Sequence, residues 1–549
     1  MSKWETEEQD GLVTQQQKSY GSIRTTIPNS NSLTSDRSRG QQDLIDQEAL
    51  DGQDEFYESD GYSVSIPSSY DERSLVDSLD EVPLSFVEEF SQILKSSIPL
   101  SITFFFEYLL AVSSLFVIGH LGSAELASAS LAVMTFNITG MAVFEGMATC
   151  LDTYCSQAFG AGKLIKVGIY FQRCTLLLFF VSVPIMLFWV FSKSFLQFIV
   201  PQKDLLELTQ LYLRVLCLGT PGLILFETGK RYLQAQKIFH ASTYVLFFCL
   251  PLNIIMNYTF IGIWGFIGAP IAIVFTYWIM AGSLLAYVYF IDGSQCWGGF
   301  SPRAWKHWDN MLKLAIPGLV MIESEYLSFE ILTVMASHFG IESLAAQSII
   351  SNIGSLVYQF PFAIASAIST RVAIYIGSGS IKSSKISVRI SFLVALITGI
   401  IIASSILIFK RQFAILFSSD EEVLKLAVNS MPILAINQIP DTFNIISAAV
   451  LRSQGRQKVG SIFNVIAYYV IALPLAYILS FKYGFEISGL WMGLGAGILF
   501  LAVAEVVCVI RTNWKEVIEE TQKREEDEYE YIIDDNSTIA SSASSLIDY

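Results

Sequence analysis

The sequence predicts an all-α membrane protein of twelve transmembrane helices, built as two parallel repeats of six. Three observations lead there. Apolar runs of about twenty residues recur along a chain of 549 residues that is 52% hydrophobic, with a mean hydropathy of +0.50. Lys and Arg gather on alternate loops. The two halves of the chain match each other at a nearly constant offset.

The first 90 residues are rich in Ser, Gln, Asp, Glu and Gly, cannot bury enough apolar surface to fold alone, and predict a disordered tail. No basic stretch with an apolar core marks a cleavable signal at the N-terminus. Spans are expected near 97–119, 126–151, 168–192, 207–228, 241–261 and 266–290, forming an N-terminal lobe over 95–291. A linker follows over 292–310. The second lobe, 311–510, holds spans near 312–337, 344–368, 387–409, 427–449, 460–480 and 487–510. Residues 511–549, which include "KREEDEYEYIIDD", form a second disordered, acidic tail.

Of the 50 acidic residues, about 31 lie before residue 96 or after residue 510, so the net charge of −16 belongs to the tails. It implies no basic substrate and no nucleic-acid partner. Loops after even-numbered spans carry 16 Lys and Arg, including Lys230, Arg231, Arg371 and Arg452, against six after odd-numbered spans. The positive-inside rule then places both termini in the cytoplasm.

The repeat is legible in short matches. "HLGSAELASAS" from His120 matches "HFGIESLAAQS" from His338, "AFGAG" from Ala158 matches "YIGSG" from Tyr375, and "YLQAQ" from Tyr232 matches "VLRSQ" from Val450. Pro99 pairs with Pro317, Pro221 with Pro440, and Pro251 with Pro474. The matches keep their order at offsets of 217–223, the signature of an internal repeat. An even number of spans per repeat inserts both halves in the same orientation, which is a transporter design.

Ionisable residues within spans are functional candidates because they are expensive there. They are Glu107, Glu145, Glu227, Glu323, Glu325, Glu330, Asp441 and Glu505, with Arg214 the only base at comparable depth. An acidic cavity of low dielectric attracts cations, and burial favours the proton-bearing form of a carboxyl. Proton and cation then compete for one charge, which is the minimal chemistry of exchange. A lone buried Glu can instead hydrogen-bond a neighbouring helix, the bland reading for Glu107, Glu145 and Glu505. Glu227, beside Lys230 and Arg231, reads as an ion pair.

"MIESEYLSFE" is harder to explain as structure. Glu323, Glu325 and Glu330 fall within eight residues of one apolar span, and each charge at mid-membrane costs roughly 2.5–3.5 kcal/mol. On a regular helix Glu323 and Glu330 share a stripe, about 20° apart, while Glu325 lies about 140° from Glu330. Either one carboxylate faces a neighbouring helix or Pro317 bends the span. Asp441 follows Pro440 in the tenth span, where a proline frees backbone groups next to a cavity. The seven cysteines show neither zinc-ligand spacing nor a disulfide framework. No phosphate loop, H-E-x-x-H or G-x-S-x-G motif occurs, so nothing indicates an enzyme, a metal or a cofactor.

These residues resemble the multidrug and toxic compound extrusion (MATE) transporters in their eukaryotic, especially fungal, form. The matching stretches are "ATCLDTYCSQAFGAGK", "KRYLQAQ", "IPGLVMIESEYLSFE" and "VLRSQGRQKVGSIFN", within residues 95–510. The resemblance implies two lobes around a central cleft. It implies an antiporter that exports xenobiotics, organic cations or metabolites; a monomeric unit in the plasma or vacuolar membrane is expected alongside it. The exchange is for H+, with Na+ as the alternative coupling ion. The family's seventh-helix Pro and two Glu correspond to Pro317, Glu325 and Glu330, and its tenth-helix acid to Asp441, eleven residues before Arg452. Tyr326 and Leu327 replace the usual aromatic pair, "RSQG" replaces "RGxG", and Glu107 stands where many relatives are uncharged. The candidate coupling and substrate residues are thus Glu330, Glu325, Asp441, Glu323 and Glu107. Glu330 comes first because helix geometry and resemblance both select it. A lipid-linked flippase of the same superfamily is the alternative, although an anionic lipid would call for a basic cavity.

Overall fold

Residues 85–198, 203–418 and 420–526 are described by a computed structural model; most of both predicted tails lies outside them. Long apolar segments in lipid must satisfy every backbone N–H and C=O within themselves, and helices do so. In the first lobe α1 is Phe86–Ile118, α2 Ser123–Gly160 and α3 Leu164–Val190. The fourth helix, α4, comes in two pieces, Lys203–Leu216 and Thr220–Ala235, inclined by 55°. Ala241–Trp264 (α5) and Gly268–Phe290 (α6) fold back on each other. Their turn uses Gly265 at φ +64°, and a side chain at Gly268 would overlap the Phe260 carbonyl. Asn253 then donates to the Thr276 hydroxyl at 2.8 Å across the hairpin.

The second lobe comprises α7 Trp308–Ala336, α8 Ile341–Gly377, α9 Ile381–Ile415, α10 Glu421–Ser453, α11 Gln457–Lys482 and α12 Glu486–Ile510. Twelve helices in two lobes of six match the fold class expected from the sequence. Most helices outrun their predicted spans; α8, for example, has 37 residues against an expected 25 or so. Hydropathy sees the bilayer, whereas the helix runs on wherever its backbone stays paired, and residues 369–377 of α8 are nearly all buried in the protein.

The lobes meet along α1 with α8, α2 with α7, and α2 with α8. Leu100 and Phe104 of α1 pack with Ala363 and Ala367 of α8. Gly146 of α2 meets Gly318 and Leu319 of α7 so closely that neither glycine could carry a Cβ without displacement. Cross-lobe hydrogen bonds cluster at the end that holds the first and last described residues. There Thr153 donates to the Arg452 carbonyl at 2.6 Å and Gln157 to the Ser453 carbonyl at 2.7 Å.

Both tails are shorter than the sequence suggests. Residues 86–90, assigned to the first tail, open α1, and Glu89 is wholly buried. Arg371 and Tyr375 of α8 and Ser387 of α9 all donate to its carboxylate, and that buried pairing draws the chain into order. Residues 514–526, assigned to the second tail, form a helix, α13. Its Trp514, Val517 and Ile518 join the second lobe's core, while Glu525 meets Lys166 of α3. The linker over 292–310 is also bound: Gln172 of α3 donates to the Gly299 carbonyl at 2.8 Å and accepts from the Ser301 amide at 3.0 Å. Burial in that linker pushes the Cys296 thiol up to about 12.

Candidate functional site

α7 runs unbroken through Pro317, so Glu323 and Glu330 keep to one stripe and Glu325 points away from it. Glu325 lies within electrostatic reach of Asp441 on α10. Tyr358 of α8 lies within electrostatic reach of both, of Tyr326 and, across the seam, of Glu145 of α2. Tyr468 of α11 lies within electrostatic reach of the same two acids. Asn444 lies one turn beyond Asp441 on α10 and is buried. The second lobe therefore holds two carboxylates, on α7 and α10, within electrostatic reach of each other and of two phenols, near the seam.

Glu323 turns the other way, towards Tyr469 of α11, and its buried Oε2 has no hydrogen-bond partner among the described residues. Glu330 is half-buried, five residues beyond Glu325. The regular helix thus separates Glu323 and Glu330 from the pair that Glu325 makes with Asp441. Glu325 is the carboxylate that lies towards a second acid, on a helix that is continuous through Pro317.

Glu107 belongs to a different cluster. Lys230 Nζ stands 2.8 Å from its Oε1 and 2.9 Å from the Oε1 of Glu227. Beside them Arg231 grips both oxygens of Asp152, at 2.7 and 2.8 Å, and its other nitrogen approaches the Glu145 carbonyl. Glu227 forms the ion pair expected with Lys230; Arg231 goes to Asp152 instead. Burying these cations is tolerable only because each faces carboxylates at hydrogen-bonding distance.

The expected alternation of acidic spans and basic loops needs correction here. Lys230, Arg231, Arg371 and Arg452 sit inside helices and are buried. A window of residues scored for hydropathy assigns them to loops, because the span ends where the first charges appear. In three dimensions the helix carries on, and the charge turns inward to a partner. Asp152 escaped notice for the same reason, falling one residue beyond the expected end of the second span. Its one visible signal was its place inside the "CLDTYCSQAFGAGK" stretch. Glu89 and Glu525 had none, since tail composition hid them, and Lys166 was one loop cation among several.

Two six-helix repeats, with carboxylates near the seam that joins them, define a membrane transporter rather than an enzyme. The MatE family profile matches the chain twice, over residues 99–259 and 317–478, and the chain belongs to that family. The two matches begin at Pro99 and Pro317, the offset already seen in the sequence. An uncharacterised transporter of Saccharomyces cerevisiae, YDR338C, is 40% identical over 486 residues, covering 86% of this chain and 70% of its own. The mouse multidrug and toxin extrusion protein 2 is 30% identical over 420 residues, covering 76% and 73% respectively. The crystal structure of the eukaryotic MATE transporter AtDTX14 superposes with a TM-score of 0.76 at 27% identity, spanning 80% of this chain and 99% of its own.

Proposed function

We propose that this transporter is a proton-coupled antiporter that exports small organic molecules, organic cations among them. The observation that carries this reading is the placement of Glu325 and Asp441 on α7 and α10, within reach of each other and of a phenol on α8 beside the seam. Two carboxylates so placed repel one another in low dielectric, and a proton or a cation relieves the repulsion. A proton entering from one side would displace the cation, and the cation the proton. The mouse relative's name, multidrug and toxin extrusion, supports a broad substrate class. Family resemblance and basic-residue bias support cytoplasmic tails in a plasma or vacuolar membrane and a monomeric unit.

The test uses purified chain in liposomes with tetraethylammonium as probe. Accumulation should follow an imposed pH gradient, and Asp441→Asn should abolish it while the protein remains folded. Accumulation that ignores pH but follows a Na+ gradient would replace the proton by Na+. Movement of a lipid-linked probe without movement of the cation would favour the flippase reading. That alternative has less support, because Lys230 and Arg231 are each engaged by carboxylates and leave little cationic surface.

A further inference from the structure

Glu505 takes no part in the pairings above. It sits on α12 with no exposed surface, and neither carboxylate oxygen has a hydrogen-bond partner among the described residues. An ionised carboxylate so placed costs several kcal/mol, a cost that protonation removes. Its surroundings are specific. Oε1 lies 3.6 Å from where a Cβ on Gly460 of α11 would stand, and the Met321 thioether of α7 walls the same spot. Met321 precedes Glu325 by one turn, so both project from one face of α7. Glu325 and Arg452 are the charged groups whose fields reach Glu505, from α7 and α10; Tyr468 adjoins it from α11. Arg452 is buried and its Nε has no hydrogen-bond partner. Its carbonyl is the one held by Thr153 where the lobes close.

We propose that Glu505 relays the coupling proton between the Glu325–Asp441 pair and the closed end of the molecule, with Arg452 steadying its carboxylate once the proton has left. The inference rests on the proposed proton coupling. In the first step the protonated Glu505 releases its proton towards the closed end, and its carboxylate turns to the Arg452 guanidinium. In the second Glu325 gives its proton to that carboxylate, directly or through water, and becomes ionised. The net change is one proton passed from Glu325 towards the closed end, and no other bond changes.

Glu505→Gln keeps the shape and removes the proton. In proteoliposomes, pH-gradient-driven tetraethylammonium accumulation should fall at least tenfold. Counterflow of the same probe at equal pH should stay within twofold of wild type, and Glu505→Asp should restore part of the driven transport. Undiminished driven transport in Glu505→Gln overturns the relay alone. Loss of counterflow together with driven transport, in protein of unchanged thermal stability, overturns it too, because the residue then serves binding or closure. A wild-type protein indifferent to the pH gradient overturns the proposed function and the relay with it.

A separate set of contacts concerns α13. This helix crosses the seam: Trp514, Val517 and Ile518 lie in the core of the second lobe, while Glu525 accepts from Lys166 of α3 at 3.2 Å and from Tyr170 at 3.4 Å. Arg524 donates to Gln157 of α2 and stacks over Tyr154 at 4.9 Å. We infer that α13 is a strap that holds this end shut and must leave its seat on the first lobe whenever the lobes part there. Lys166→Cys with Glu525→Cys, joined by a short bismaleimide, should bind substrate yet lose transport, relative to either single variant treated alike. Glu525→Ala should keep transport and lower the melting temperature. Normal transport by the cross-linked protein overturns the strap, as does complete loss of transport in folded Glu525→Ala.

Discussion

Gly160 and Gly377 occupy equivalent positions in the two repeats, and each makes room for a carbonyl of the opposite lobe. A Cβ on Gly160 would overlap the Ile374 carbonyl, and one on Gly377 the Gln157 carbonyl. Gln157 and Ile374 are themselves 217 residues apart, like the glycines, so the contact is reciprocal about the axis that relates the lobes. Backbones approach this closely only where no side chain intervenes.

Alanine at either glycine should therefore destabilise the closed end by about 1–3 kcal/mol, the usual cost of overpacking. The two variants should behave alike, with lowered melting temperatures in detergent. Gly282→Ala is the control: nothing lies within 4 Å of a Cβ there, and alanine favours a helix. Equal stability of all three variants would show that the seam is loose.

Lys237 stands at φ +64° in the turn after α4, where Gly455 of the second repeat, 218 residues on, stands at φ +70°. A left-handed conformation costs a side-chain-bearing residue about 1–2 kcal/mol. Lys237→Gly should raise thermal stability by about 1 kcal/mol without changing transport. A drop in melting temperature would mean that the lysine side chain contributes more than its backbone costs.

Glu89 and Arg371 form a buried pair between α1 and α8. Removing one partner leaves an uncompensated charge, so Glu89→Gln or Arg371→Met alone should cost about 3–5 kcal/mol. Replacing both by methionine should recover much of that loss. A double-mutant cycle with no coupling would reduce the pair to an incidental contact.

Among the acids of the second lobe, Glu325→Gln and Asp441→Asn should each lower gradient-driven transport at least tenfold, since each removes one half of the pair. Glu323→Gln should be mild. Glu330→Gln tests helix geometry against the pairing: a loss as deep as that of Glu325→Gln would show that the cavity extends a further turn along α7. The measurement is driven tetraethylammonium accumulation, normalised to protein in the membrane.

Sidedness is tested by tagging both ends and treating sealed vesicles of known orientation with protease. Both tags should lie on the cytoplasmic face. Tags on opposite faces would contradict an even number of crossings.

The sequence by itself determined the membrane class, the twelve spans, the repeat and the acidic character of α7. These are properties of composition and period: hydropathy accumulates along a span, and a duplicated fold leaves matched glycines and prolines at one offset. What it left open was which charges meet. The helix wheel separated Glu325 from Glu323 and Glu330, yet only the assembled fold, with α7 packed on α2 and α11, decided that Glu325 would be the one within electrostatic reach of Asp441. Basic residues such as Lys230, Arg231 and Arg452, which hydropathy assigned to loops, proved to be buried. Glu89 and Glu525, hidden in acidic tails, proved to bind across the lobes. The buried ion pairs between helices join residues from 79 to 359 positions apart, and neither partner alters the local periodicity that a sequence displays. Such pairings depend on distance and dielectric, and those exist only once the helices have assembled.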